Sequence, residues 1–343
     1  MIEIDESVIH KLIYHRISIE DGMDSKLSNT LYDFKDEEEA IALKKIFLKP
    51  FTSNFTSYEF THDIDIELNP LFKIAQVIFD EDDFINQSKN ICKHLKSVSK
   101  HPNIKDGDLF VLKFSGIKMN NNLYEGVGIY KIENKENFIE TTTYHKGEAG
   151  LQFKKGIGNK RPDKACLILF TEMPYTVLVI DNASVETDYW QNEFIKTSLK
   201  KDNANNTTQF LTLTKSFVTH QFPNEFEVTK ADQIDLLNRS VEYFKTHDTF
   251  DKKDFEQEVF QDSVIIKSFR NFDETYRESN EMEVADSFEI SAPAVKKQAR
   301  VFKSVLKLDK NFHIYIHGDR ELIEQGVEKD GRKYYKIYFD QES

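Results

Sequence analysis

The sequence predicts an α+β protein in two parts: an N-terminal domain with a mainly antiparallel sheet and packing helices, and a mostly helical C-terminal domain closed by a β-hairpin. Three observations predict this. Strand-like runs separated by turn residues dominate the first 200 residues, helical periodicity dominates the stretch after residue 209, and strand material returns at the end of the chain. At 343 residues the chain exceeds the usual length of one compact core, so two domains are expected, 1–200 and 209–343. Its 39% hydrophobic residues, with 28 Phe and 14 Tyr, supply the apolar bulk for packed interiors.

Residues 7–19 (SVIHKLIYHRISI) are rich in β-branched and aromatic side chains and suit an opening strand. Residues 36–48 place acids before lysines, the order a helix dipole favours, with Ile41, Ile46 and Phe47 as core contacts. From Asp83 to Ser97, Phe84, Ser88, Ile91 and Leu95 recur at helical spacing, which puts Cys92 within a helix and His94 on its surface. Two apolar runs in 106–132 flank the tip Asn120 to Asn122, a hairpin signature. Strands are expected at 163–171 and 175–181, helical patterning at 187–199, and a polar linker at 200–208. Farther on, Ile234, Leu237, Val241 and Phe244 line one face of a helix over 229–246, and 252–260 and 262–269 are shorter helical segments. Pro293 suits the first turn of a helix over 293–307. A terminal hairpin uses His313 to Ile316 and Val327 to Phe339, with Asp330-Gly331 as a type I′ turn.

Residues 1–20 lack the continuous apolar run of a secretory signal, and no stretch approaches the roughly 20 apolar residues of a spanning helix. Cys92 and Cys166 lie apart in apolar surroundings, as buried thiols do. A cytoplasmic protein is expected. No metal or cofactor site is expected either: HExxH, paired CxxC and calcium-loop patterns are absent. His313 and His317 on one strand would be about 13 Å apart, too far for one zinc ion, and His10 and His15 point to opposite faces of theirs. GxSxG is absent, and Glu37 to Glu39 are explained by the helix dipole, so no catalytic residue is assigned and no enzyme activity is expected.

Two basic features remain. The segment Lys154-Lys155-Gly156-Ile157-Gly158-Asn159-Lys160-Arg161 lacks both the phosphate-loop and the dinucleotide spacing, and reads as a basic surface loop between strands. Its four cations can still dock a nucleic-acid backbone without reading sequence. On a helix over 293–307, Lys296, Arg300, Lys303 and Lys307 fall in one narrow stripe. Such a stripe is either the solvated side of an amphipathic helix or a contact for an anionic partner, phosphate or an acidic protein surface. The formal net charge of −13 argues against a uniformly basic surface, so nucleic-acid contact must be local.

The segments IHKLIYHRI (9–17), DGDLFVLKF (106–114), TTQFLTLTKSF (207–217) and KNFHIYIHGDRELIEQGVEKDGRKYYKIYF (310–339) resemble the bacterial nucleoid-associated protein family called NdpA. The resemblance spans most of the chain and rests on apolar and turn patterns. It implies a cytoplasmic protein of the nucleoid that binds double-stranded DNA and carries out no enzymatic chemistry, and it transfers no residue list. The acidic balance suits two modes of action. One is non-specific contact with DNA phosphates through the two basic features. The other is a protein-interaction module, as a single chain or as a homodimer, that recruits a DNA-acting partner or another nucleoid protein.

Overall fold

The opening strand-forming run becomes an edge of a large antiparallel sheet. The strands are β1 (Ile2–Glu3), β2 (Val8–Ile17), β3 (Tyr58–Phe60), β4 (Gly107–Met119), β5 (Asn122–Ile132), β6 (Glu136–Thr143), β7 (Ala149–Gly156), β8 (Lys164–Leu169), β9 (Thr176–Asp181) and β10 (Thr197–Leu199). All but β6 and β7 join the sheet, ordered β4-β5-β8-β9-β3-β10, with β1 and β2 sharing the outer edge of β4. The computed structural model describes residues 2–341, apart from 21, 54, 55, 82, 144–147, 183–188, 301, 303, 304 and 317–321. Residues 1–200 and 201–343 form two compact units, each with its own core.

Turn chemistry explains the central hairpin. Asn120 and Asn121 both have positive φ, 50° and 65°, which is the type I′ geometry that asparagine tolerates and that matches strand twist. The register runs Asp108↔Ile132 to Met119↔Asn122, interrupted between Phe114 and Ile117. There Gly116 has φ +67°, and a Cβ on it would lie 2.5 Å from the Glu6 carbonyl, so the bulge requires glycine.

Three α-helices among the described residues of the first unit cover the two sheet faces. These are α1 (Glu37–Leu48), α2 (Pro70–Asp80) and α3 (Phe84–Val98). Helix α1 starts at Asp36, whose carboxylate accepts the Glu39 N–H, and its first-turn acids complement the dipole. It buries Phe47 and Leu48 beside Leu112, Tyr130 and Leu167 on one sheet face. Ile46 is partly buried there, whereas Ile41, expected in the core, is exposed. Helices α2 and α3 pack on the other face, where Phe84, Ile91, Cys92 and Leu95 meet Ile13, Val111 and Ile129. Both cysteines are free and buried. His94 is half-buried rather than a surface residue, with Nε2 2.9 Å from the Phe194 carbonyl and a pKa pushed down by burial.

His15, on the α3 side of β2, is fully buried. Its Nδ1 accepts the Ser28 N–H at 3.0 Å, which leaves the proton on Nε2 for Ser88 Oγ, also 3.0 Å away. Burial and, secondarily, Lys89 lower its pKa from 6.5 to about 4. The unfolded chain therefore binds this proton first, so stability is intact above pH 6.5 and falls as the pH drops from 6.5 towards 4. Between pH 6.5 and 5 the loss amounts to about 2 kcal/mol. Urea midpoints of the native chain and of His15→Gln over that range check it: the variant is less stable at neutral pH but its curve is flatter, and parallel curves would rule the imidazole out as the cause.

The second unit comprises α4 (Asn203–Ser216), α5 (Phe222–Glu225), α6 (Lys230–Thr246), β11 (Thr249–Asp251), α7 (Lys252–Phe255), α8 (Ser263–Ser279), β12 (Ser287–Glu289), α9 (Ala292–Ala299), β13 (Val305–Leu308), β14 (Phe312–Tyr315), β15 (Ile323–Val327) and β16 (Lys333–Ile337). A reciprocal capping box, Thr229 with Asp232, starts α6, and its expected face of Ile234, Leu237, Val241 and Phe244 is buried. At the centre lies an aromatic cluster in which the Phe210 ring is 4.3 Å from that of Phe250 and 5.1 Å from that of Phe255.

Four local expectations need correction. Residues 203–208 are the first turns of α4, capped by Asp202, and Asn205, Asn206 and Thr207 are buried. The segment expected to be helical over 187–199 is a π-helix, Tyr189–Ile195, followed by β10, and residues 187 and 188 lie outside the described ones. The helix expected over 293–307 ends at Ala299, because Val305–Leu308 pairs with Phe312–Tyr315. The chain closes on two hairpins rather than one, the second pairing Ile323–Val327 with Lys333–Ile337. Its turn is not type I′: Gly331 has φ +88°, and Asp330 does not share that sign.

Candidate functional site

Alternation along β2 sends Tyr14 and Arg16 to the α1 face, opposite the face that holds His15. Across the register Arg16 meets Asp108 and Tyr14 meets Phe110. Asp108, 2% exposed, accepts Tyr14 OH at 2.8 Å and Arg16 Nη1 at 2.9 Å on Oδ1. The Lys135 ammonium lies 2.8 Å from Oδ2 as an ion pair. Burial alone would raise the Asp108 pKa, but the contacts from Lys135, Tyr14 and Arg16 outweigh it and hold the carboxyl below its ordinary value. The same arrangement pushes the Tyr14 phenol up to about 12, through desolvation first and the Asp108 bond second.

Around this carboxylate the chain gathers cations from four separate segments. Lys26 pairs its backbone with that of Arg16 in both directions, at 2.8 and 2.9 Å. Lys135 projects from a turn after β5 that Asp163 clamps, accepting the Glu133 and Asn134 N–H groups at 2.8 and 3.1 Å. Lys155 comes from β7. Arg16, Lys26, Lys135 and Lys155 line a cleft of about 700 Å³ with Tyr14, Asp108, Glu133 and Asn134. The Glu133 carboxylate is engaged by the buried Lys131 ammonium at 2.7 Å, so it offsets little of this charge. Lys26 and Lys155 have no ion-pair partner among the described residues. An apolar recess of about 400 Å³ adjoins the cleft, sharing Tyr14, Asp108 and Lys135 and adding Leu43, Phe47 and Phe110.

The sequence-predicted cations fare unequally. Lys154 and Lys155 stand on strand β7, not in a loop, and point to opposite faces of it. Lys154 is ion-paired with Glu140, whereas Lys155 faces the cleft. Lys160 and Arg161 are exposed in the loop that follows, which Glu136 anchors by accepting the Lys160 N–H at 3.4 Å. The stripe does not exist as a helix face. Lys296 is exposed on α9, Arg300 is that helix's C-cap, Lys307 stands on β13 opposite His313, and Lys303 lies outside the described residues. His317 also lies outside them. Arg16, Lys26 and Lys135 were missed by the motifs. The one local signal for them was the alternation in Tyr14-His15-Arg16-Ile17, which puts a phenol and a guanidinium on one face of a strand.

Among the described residues no group of three or more His, Cys, Asp or Glu side chains is placed to hold a metal ion, and no helix is long and apolar enough to cross a membrane. No curated protein matches the chain in sequence comparison. The family model described as nucleoid-associated protein YejK matches residues 8–341, nearly the full length, in agreement with the family resemblance of the opening and closing segments. The chain thus belongs to the bacterial nucleoid-associated protein family of YejK, whose place is the nucleoid.

Proposed function

We propose that the protein acts in the nucleoid by binding double-stranded DNA through its phosphates, without reading sequence and without enzymatic chemistry, and that the contact is the cationic cleft of the first unit. The observation that carries this reading is the convergence of Arg16, Lys26, Lys135 and Lys155 on one cleft of a chain with net charge −13. Phosphate contacts need clustered cations and release counterions, and neither requirement involves base recognition. The acidic remainder is compatible with this, because charges farther than about 10 Å are largely screened at 0.1 M salt. Among the described residues, Lys296 and Arg300, exposed at the end of α9, and Lys307, exposed on β13, converge on no cleft with other cations in the way the four of the first unit do, and so enter as weaker contacts.

The test is duplex affinity against salt for Lys26→Gln/Lys155→Gln, two cations whose loss breaks no ion pair among the described residues. Removing two phosphate contacts should weaken binding by about tenfold or more at 0.1 M salt, and flatten the slope of log K against log salt by about 2. Lys296→Gln/Arg300→Gln should do less. An unchanged slope in the first variant, or no binding of the native chain at 50 mM salt, defeats the reading.

A further inference from the structure

Strands β6 and β7 form a two-stranded ribbon separate from the main sheet, paired from Glu136↔Gly156 to Thr143↔Ala149. At eight residues a strand it is about 26 Å long. Its two faces differ. On one, Lys154 is ion-paired with Glu140, and Phe138 lies over Gly156, where a Cβ would come within 2.7 Å of the ring. On the other, the register sets Lys155 opposite Asn137, Phe153 opposite Ile139, and Leu151 opposite Thr141. Ile139, Leu151 and Phe153 are 64%, 63% and 69% exposed, a concentration of large apolar side chains that a soluble surface does not need. This apolar face runs directly into Lys155, and so into the cationic cleft.

We propose that this ribbon is a wedge that enters the minor groove of duplex DNA and bends it, with Phe153 and Ile139 inserted against the base steps while the cleft at its foot holds phosphates. The inference rests on the DNA-binding reading above and adds a mode of action to it. Charge selects this occupant. Described residues from 135 to 161 carry five cations (Lys135, Lys154, Lys155, Lys160 and Arg161) against three carboxylates, in a chain whose overall balance is strongly acidic. A partner that meets both a cationic foot and an apolar face must offer anions and apolar surface within a few ångströms. The duplex minor groove does so: phosphates line its rim, and partly unstacked bases expose flat apolar faces to inserted wedges. In the major groove the apolar contacts on offer are thymine methyl groups, a poor match for three large exposed side chains.

The experiment measures bending by energy transfer between dyes at the two ends of a short duplex, together with affinity, for the native full-length chain and for Ile139→Ser/Phe153→Ser. Both side chains are exposed, so the variant should fold, which circular dichroism verifies. Native protein should kink the duplex by roughly 20–90°. The variant should lose the bend while its affinity falls less than about tenfold and its salt slope stays unchanged, because the phosphate contacts remain. Salt-dependent binding without bending by the native chain overturns the wedge and leaves the cleft reading standing, whereas absence of any binding overturns the cleft reading itself. A variant that bends DNA normally but sediments as a smaller species than the native chain would show that the apolar face joins two copies, and would equally overturn the proposal.

Discussion

Asp273→Ala should destabilise the second unit by about 3–5 kcal/mol, the range for removing one partner from a buried ionic group. Asp273 lies on α8, 1% exposed, and accepts Arg277 Nε at 2.6 Å on Oδ1, while the Lys252 ammonium of α7 bonds Oδ2. Truncation leaves both cations four-fifths out of solvent. Arg277 keeps the Val284 carbonyl and the exposed Asp286 carboxylate, but among the described residues Lys252 has no second carboxylate. The cost is thus mostly that of a lysine stranded in low dielectric, not of a lost attraction. That distinction can be measured. Lys252→Met in the Asp273→Ala background removes the stranded charge and should recover a large part of the loss in urea denaturation. Strict additivity of the two substitutions, or a loss below about 1 kcal/mol for Asp273→Ala, would mean that the network contributes little to holding α7 on α8.

The legibility of this chain follows the range of the interactions that decide each element. The hairpin at Asn120 and Asn121 was readable because turn residues and flanking strands are neighbours in sequence, and helix α6 because its cap and its apolar face lie within 18 residues. The polar run at 203–208 misled for the opposite reason. Asn205, Asn206 and Thr207 of that run are buried in α4, and Thr207 Oγ1 accepts the N–H of Ser291, a partner 84 residues away. The lysine stripe failed through a competition that periodicity alone does not register. Val305 to Leu308 satisfy helical spacing, but they also alternate as a strand should, and pairing with Phe312–Tyr315 across a short turn at Asp309 prevails. The cleft was the least legible feature. Its cations sit at positions 16, 26, 135 and 155, and the register of β2 on β4, the clamp of Asp163 on the turn after β5, and the pairing of β7 on β6 bring them together.

Asp108→Asn should move DNA affinity in the opposite direction to the lysine substitutions, and it separates a binding cleft from a structural knot of charges. Asp108 neutralises two of the four cleft cations, Arg16 and Lys135, both 43% exposed. Asparagine retains an acceptor for Tyr14 or Arg16 but carries no charge, so both cations become available to phosphate. Their exposure lets water replace part of what the carboxylate supplied, which limits the stability cost to about 1–2 kcal/mol. Duplex affinity at 0.1 M salt should rise by about tenfold, with the slope of log K against log salt steeper by between about 1 and 2, as one or both freed cations displace counterions. A structural knot would give the stability loss with no change in affinity or slope. Combining Asp108→Asn with Lys26→Gln/Lys155→Gln should return affinity to near the native value, since the exchange of charges takes place within one cleft. If instead the triple variant binds as weakly as the lysine double variant, then Arg16 and Lys135 serve only to hold Asp108, and the phosphate contacts belong to Lys26 and Lys155 alone.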